Sequence, residues 1–167
     1  MNILLIIATV VLIAVDQLIK NWAVNSLQPV HTMDFIKFGD FRVLDLTYLE
    51  NDGAIFGSMS GQTWFLVGFT SLIIIAGIVM MFISAKKSKF MSICIMLFVA
   101  GGIGNLIDRI RFGYVVDMFE IKLFRFAIFN FADICVTCAF ILMFVYILFI
   151  EPKVEKGKKS AEVEKNE

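Results

Sequence analysis

The chain has 167 residues, is 59% hydrophobic and 14% aromatic, and carries no net charge at a mean hydropathy of +0.86. Such apolar character excludes an ordinary soluble domain and a disordered chain, and the lack of a basic excess gives no global field for nucleic acid. The length suits one domain, and the class that remains is a polytopic α-helical membrane protein.

The first 15 residues are apolar, but no Lys or Arg precedes them and no clean small-residue cleavage pattern follows. They read as the start of an uncleaved span, not as a signal peptide. Four segments reach the length of about 20 residues, at about 1.5 Å each, that crossing a hydrocarbon core requires. They are residues 2–24, 63–84, 90–107 and 131–150. Longer connections, residues 25–62 and 108–130, alternate with a short one at 85–89.

That short connection holds Lys86, Lys87 and Lys89 with no acid, and residues 151–167 (EPKVEKGKKSAEVEKNE) hold five more lysines. The longer connections spread Lys37, Arg42, Arg109, Arg111, Lys122 and Arg125 over far more chain. The basic density predicts both termini in the cytoplasm and both long connections outside. Residues 35–49 mix β-branched, aromatic and charged side chains around Gly39-Asp40, a hairpin signal, and residues 115–129 alternate in part. A small sheet packed on the outer leaflet is expected, and the charged stretch 151–167 is expected to be a disordered cytoplasmic tail.

Polar groups inside spans are expensive unless paired or functional, so the few present carry the argument. Asp16 and Lys20 lie four apart on one helix face and are placed to pair, either pinning the first helix or supporting a site at the outer surface. Asn51-Asp52-Gly53-Ala54 favours a tight turn, which is compatible with Asn51 presenting its amide to an extended peptide. Asn105 and Asp108 share a face at the end of the third span, where Arg109 offers Asp108 an ion-pair partner. Upstream, Gly101, Gly102 and Gly104 permit close helix approach. Asn130 and Asp133 repeat the Asn-x-x-Asp spacing at the start of the fourth span, with Asn130 placed to cap and Asp133 at the favoured end of the helix dipole.

Asp117 differs, because it sits in an apolar run (Tyr114-Val-Val-Asp-Met-Phe) with no local helix end to cap. Two carboxylates brought close cannot both ionise, so one keeps a proton while the other can take one from water. No metal-ligand set competes, since His31 is the one histidine, and Cys94, Cys135 and Cys138 lie in apolar spans where packing explains them. The residues alone leave three readings open: hydrolysis by paired aspartates, ion or proton handling, and a non-catalytic assembly factor. The acids cluster at one end of the spans, which favours the first.

Five short motifs in order, Asp16-Gln-Leu-Ile-Lys20, Asn51-Asp-Gly-Ala54, Gly104-Asn-Leu-Ile-Asp-Arg109, Val115-Val-Asp117 and Phe129-Asn-Phe-Ala-Asp133, resemble the lipoprotein signal peptidase family, also called signal peptidase II. The resemblance covers nearly the whole chain except the tail. It implies an all-α polytopic membrane protein: four transmembrane helices with a small extracytoplasmic β-cradle at about residues 28–57, all within a protease domain at 1–150. It also implies an aspartic endopeptidase of the bacterial cytoplasmic membrane, with its active site near the extracytoplasmic face. Such an enzyme removes signal peptides from diacylglyceryl-modified prolipoproteins on the amino side of the lipidated cysteine. By the same resemblance the catalytic pair is Asp117 and Asp133. Asn51, Gly53, Asn105, Asp108, Arg109, Asn130 and Ala132 are substrate-binding, and Asp16 and Lys20 are supporting. No metal or other cofactor is implied; prolipoprotein signal peptides, membrane lipids and the inhibitor globomycin are the expected partners, and nucleic acid is not. Asp52, Ile55 and Ile134 depart from residues common in the family, and the extra acid at 52 is expected to affect the titration of the pair.

Overall fold

The computed structural model of the chain describes residues 2–53, 61–86 and 88–152. Ala54, Ile55, Lys87 and most of the expected tail, residues 153–167, lie outside them. Along the described chain run α1 (Asn2–Trp22), a π-helical turn (Ala23–Leu27), β1 (Thr32–Phe38), β2 (Phe41–Asn51), α2 (Thr63–Ser84), α3 (Lys89–Phe112), β3 (Val115–Ile121) and α4 (Phe131–Val145), the last continued by a π-helical stretch to Ile150.

The four helical segments Asn2–Leu27, Thr63–Ser84, Lys89–Phe112 and Phe131–Ile150 are each long and apolar enough to cross a membrane. In hydrocarbon every backbone N–H and C=O must be satisfied within the segment, so these runs have no alternative to helix. Their outward faces carry large apolar side chains such as Leu4, Val10, Leu72, Ile75 and Phe140, all more than half exposed. A water-soluble molecule would not tolerate a surface of this kind, whereas lipid does. The molecule is a multi-pass membrane protein.

The helix α3 is the central one, burying Cys94, Ile95, Val99, Ala100, Gly101, Gly104 and Asp108 between α1, α2 and α4. It starts at Ser88, whose hydroxyl accepts from Met91 N, and ends where Gly113 takes the left-handed φ of 86° that lets its N–H close on Arg109 O. It therefore runs five residues beyond the expected 90–107, because the chain after Ile107 finds a partner sheet and not lipid. Helices in membranes associate through close packing and hydrogen bonds, not through a hydrophobic gain over lipid, so small residues at crossings decide the approach. A Cβ on Gly101 would stand 2.8 Å from Val136 Cγ2, and one on Gly104 would stand 2.5 Å from Asp16 Oδ2. At the other end of the bundle Ser88 Oγ donates to Tyr146 Oη at 3.0 Å, tying the short α2–α3 connection to the far end of α4.

The sheet sits at the opposite end of the bundle, with order β1-β2-β3 and antiparallel pairing throughout. Gly39-Asp40 makes the expected hairpin turn, pairing Phe38 with Phe41 and Thr32 with Thr47. The third strand comes from the other long connection and pairs Asn51 with Val115 and Leu49 with Asp117. One sheet face closes on the π-helical turn after α1 through a cluster of Ala23, Leu27, Leu46, Val116 and Met118. The side chains of Asp34, Lys37, Arg42, Asp45, Glu120 and Lys122 form a band of ion pairs, in which the Asp45 carboxylate is buried 3.6 Å from both Arg42 and Lys122.

Candidate active site

Three pieces of backbone bring Asp117 and Asp133 together. The first is the strand β3, which sets Val115, Asp117 and Phe119 on one side and Val116 and Met118 on the other. Second, Phe119 pairs with Phe129: Met118 N and Phe119 N donate to Phe129 O at 3.0 and 2.8 Å, and Phe129 N returns a bond to Phe119 O. That closure folds the segment after β3 back onto the strand and delivers Asn130 to the start of α4. Third, Asn130 and Asp133 form a capping box, with Asn130 Oδ1 accepting from Asp133 N and Asp133 Oδ2 accepting from Asn130 N, both at 3.0 Å.

With its oxygen used in the cap, the Asn130 amide nitrogen is free to donate across the site. It donates to Asp117 Oδ1 at 2.6 Å and to Asn105 Oδ1 at 3.1 Å. One residue thus touches both carboxylates. Asn51 Nδ2 donates to the second oxygen of Asp117 at 2.8 Å, reaching diagonally along the β2–β3 pair, while its own oxygen accepts from Gly53 N. Asn105 Nδ2 donates to Asp133 Oδ1 at 2.8 Å. Every oxygen of the two carboxylates therefore accepts a hydrogen bond. Asp117 is 1% exposed, and burial pushes its carboxyl up to about 6; the charge of Asp133 acts in the same direction, while Asn51, Asn130 and Lys20 oppose it.

The remaining predicted residues gather around this pair. Lys20 Nζ lies 3.0 Å from Asp16 Oδ2, 2.9 Å from Asp108 Oδ2 and 2.9 Å from Asn105 Oδ1. Ala132 contributes its backbone, donating N–H to Asp16 Oδ1 at 3.0 Å. Arg109 Nη2 donates to Gly53 O at 2.8 Å, which anchors the turn that carries Asn51. The Arg109 Nε is buried without a hydrogen-bond partner.

One expectation is corrected. Arg109 does not pair with Asp108, although the two are adjacent. Successive residues on a helix point about 100° apart, so Asp108 faces α1 while Arg109 faces the Gly53 turn. Asp108 pairs with Lys20 and accepts from Gln17 Nε2 at 2.9 Å and Val116 N at 3.2 Å. Sequence reasoning did not assign Gln17 to the site. It also donates to Asp16 Oδ2 and to Gly104 O, and its position between Asp16 and Lys20 was the available signal. Among the described residues no group of three or more His, Cys, Asp or Glu side chains is placed to hold a metal ion.

Comparison with known proteins places this arrangement in context. Residues 8–149 match the family described as signal peptidase (SPase) II. A lipoprotein signal peptidase of Lactococcus lactis subsp. lactis is 39% identical over 147 residues, covering 88% of this chain and 95% of the relative. Another, from Clostridium acetobutylicum, is 38% identical over 151 residues, covering 89% and 96%. Two solved structures described as a bacterial membrane enzyme superpose with TM-scores of 0.76 and 0.74, each at 30% identity. They cover 86% and 87% of this chain, and 87% and 93% of their own. Four apolar helices, an antiparallel sheet at one end and an aspartate pair bridged by Asn130, together with a family match over most of its length, mean that this chain belongs to the signal peptidase II family.

Proposed function

We propose that the chain is a lipoprotein signal peptidase, a membrane aspartyl endopeptidase whose catalytic residues are Asp117 and Asp133. Its substrates are diacylglyceryl-modified prolipoproteins, cut on the amino side of the lipidated cysteine. The single observation that carries the site assignment is Asn130, whose backbone N–H binds Asp133 and whose amide binds Asp117.

The mechanism follows from the two environments. Asp117, raised to about 6 by burial and by the neighbouring charge, is the member that holds the shared proton. Asp133 receives two donors at a helix N-terminus and is the base. A water held between them loses a proton to Asp133 and attacks the scissile carbonyl, while Asp117 protonates its oxygen. Collapse of the tetrahedral intermediate then returns a proton to the departing amine. Arg109, tied to the Gly53 carbonyl, and the Asn51 turn form the wall along which an extended peptide lies. Asn105 continues that wall, and the buried Gly53, Asn130 and Ala132 back it. Asp108 is 1% exposed and bound to Lys20, Gln17 and Val116 N, which supports a role in holding the wall and not in touching the substrate.

The enzyme resides in the bacterial cytoplasmic membrane with both termini cytoplasmic and the site near the extracytoplasmic face. Lys86 and Lys89 support this orientation, because they lie at the end of the bundle away from the sheet. Acyl chains of the substrate lie against the helices in the surrounding lipid, and globomycin competes for the same wall.

The test uses purified protein in detergent with a diacylglyceryl-modified precursor and the same precursor without lipid. Cleavage of the lipidated form alone, blocked by globomycin, is expected. Asp117→Asn and Asp133→Asn should each lower kcat by at least about 10³-fold while unfolding at a temperature near that of the parent. Either variant cleaving at the parent rate would remove that residue from the pair.

A further inference from the structure

We propose that Lys20 is a positioning residue for the aspartate pair, its ammonium fixing two buried carboxylates that each hold the backbone N–H just before one member of the pair. This rests on the assignment of Asp117 and Asp133 given above. Asp16 Oδ1 binds Ala132 N at 3.0 Å, one residue before Asp133. Asp108 Oδ2 binds Val116 N at 3.2 Å, one residue before Asp117. The ammonium spans Asp16 and Asp108 at 3.0 and 2.9 Å and places its third proton on Asn105 Oδ1 at 2.9 Å. Asn105 Oδ1 then has two donors, Lys20 and Asn130, which leaves Asn105 Nδ2 to bind Asp133 Oδ1. A lysine has three N–H donors, and all three lead by one further bond to the pair or to the residue beside it.

Charge neutralisation alone does not account for this geometry. One carboxylate balances one ammonium, and a second one leaves the buried cluster with a net negative charge, which burial penalises. Lys20, Asp16 and Asp108 are all under 5% exposed. What the two carboxylates share is a backbone N–H adjacent to a member of the pair. The packing is built around the same point, since a Cβ on Gly104 would stand 2.5 Å from Asp16 Oδ2. The charged and titratable groups facing the cluster and the pair are Asp16 from α1, Asp108 and Arg109 from α3, Tyr114 just before β3, Cys135 from α4, and Asp117 and Asp133 themselves.

The experiment measures kcat, KM, the pH–rate profile and thermal unfolding of the full chain in detergent with a diacylglyceryl-modified precursor. The variants are Lys20→Met and Lys20→Met combined with Asp108→Asn. Lys20→Met should lower kcat about 10²-fold, the loss that follows from a displacement of about 1 Å, with KM changed by less than about threefold. Its alkaline limb should move upward, because removing a positive charge lets the pair hold its proton to higher pH. In the double variant the cluster regains the parent net charge and the amide oxygen at 108 still accepts from Val116 N. Its limb should return to the parent position while kcat stays low. A folded variant with the parent kcat would overturn the proposal, as would a kcat loss in Lys20→Met with an unmoved limb. Failure of both variants to fold would make the role purely structural and overturn it too. Asp117→Asn in the same assay separates this from the parent reading: if that variant cleaves, the pair is misassigned, whatever Lys20 does.

Discussion

Asn130 binds both aspartates through different atoms, so its loss should be felt at both. Asn130→Ala removes the cap of α4 and the donors to Asp117 and Asn105. Capping loss alone should destabilise by about 1 kcal/mol, and kcat should fall much further than that loss of folded protein explains. Thermal unfolding beside initial cleavage rates would separate the two effects. The pH behaviour belongs to Asp117, whose carboxyl lies at about 6 in the folded chain against an ordinary 3.8. Cleavage should therefore decline on the alkaline side from about pH 6 upward as the shared proton is lost. The sign for stability is the same: the folded state binds this proton more tightly than the unfolded state. The Asp117 contribution is thus fully present below about 3.8 and is lost as pH rises through about 6. Asp117→Asn should flatten that part of the unfolding-temperature profile, and an unchanged profile would show that another group carries it.

At the scale of elements, α3 decides how near the others come. Gly104 faces α1 and α4, where a Cβ would meet Asp16 Oδ2 at 2.5 Å and Ala132 Cβ at 3.3 Å. Asp16 is short and already bound to Lys20 and Ala132 N, so it has little room to yield. Gly104→Ala should destabilise by about 1–3 kcal/mol, as overpacking does, and reduce cleavage by more than tenfold by moving the first turn of α4. Gly102 faces α2 instead, and a Cβ there would stand 3.0 Å from Ile74 Cγ1 and 3.3 Å from Ile74 Cδ1, a milder approach than the one at Gly104. Gly102→Ala should therefore retain near-parent cleavage, and equal losses in the two variants would sink the argument from Asp16. The sheet contributes in a different way: β3 joins a hairpin far away in sequence to the start of α4 through Phe119 and Phe129.

For the whole molecule, the up-and-down helices put the sheet, the aspartate pair and the Lys20 cluster at one end and the Ser88–Tyr146 contact at the other. In the proposed orientation a cysteine replacing Lys37 should react with a membrane-impermeant maleimide in intact cells. One replacing Lys86 should react only after permeabilisation. The reverse pattern would invert the molecule in the membrane without disturbing the site. Much of the architecture was readable in advance at this scale, because span length is a property of consecutive residues. The hairpin at Gly39-Asp40 and the Asn130 cap were readable for the same reason, as both signals lie within four residues.

The number of spans, the hairpin, the cap and, through ordered motifs, the family all follow from the order of residues along the chain. Each depends on local spacing or on the order of short segments. Pairing across distance, by contrast, came from packing. Sequence adjacency suggested Asp108 with Arg109, but helical rotation turned them apart, and the partner of Asp108 proved to be Lys20, a helix away. The doubled Asn-x-x-Asp spacing likewise treated Asp108 and Asp133 as equals. The ordered motifs already set Asp133 apart by pairing it with Asp117, and packing supplies the physical reason: Asp108 is bound to an ammonium and a strand N–H, whereas Asp133 shares Asn130 with Asp117. A carboxylate's role depends on which donors reach it in the folded state, and those donors come from five different elements.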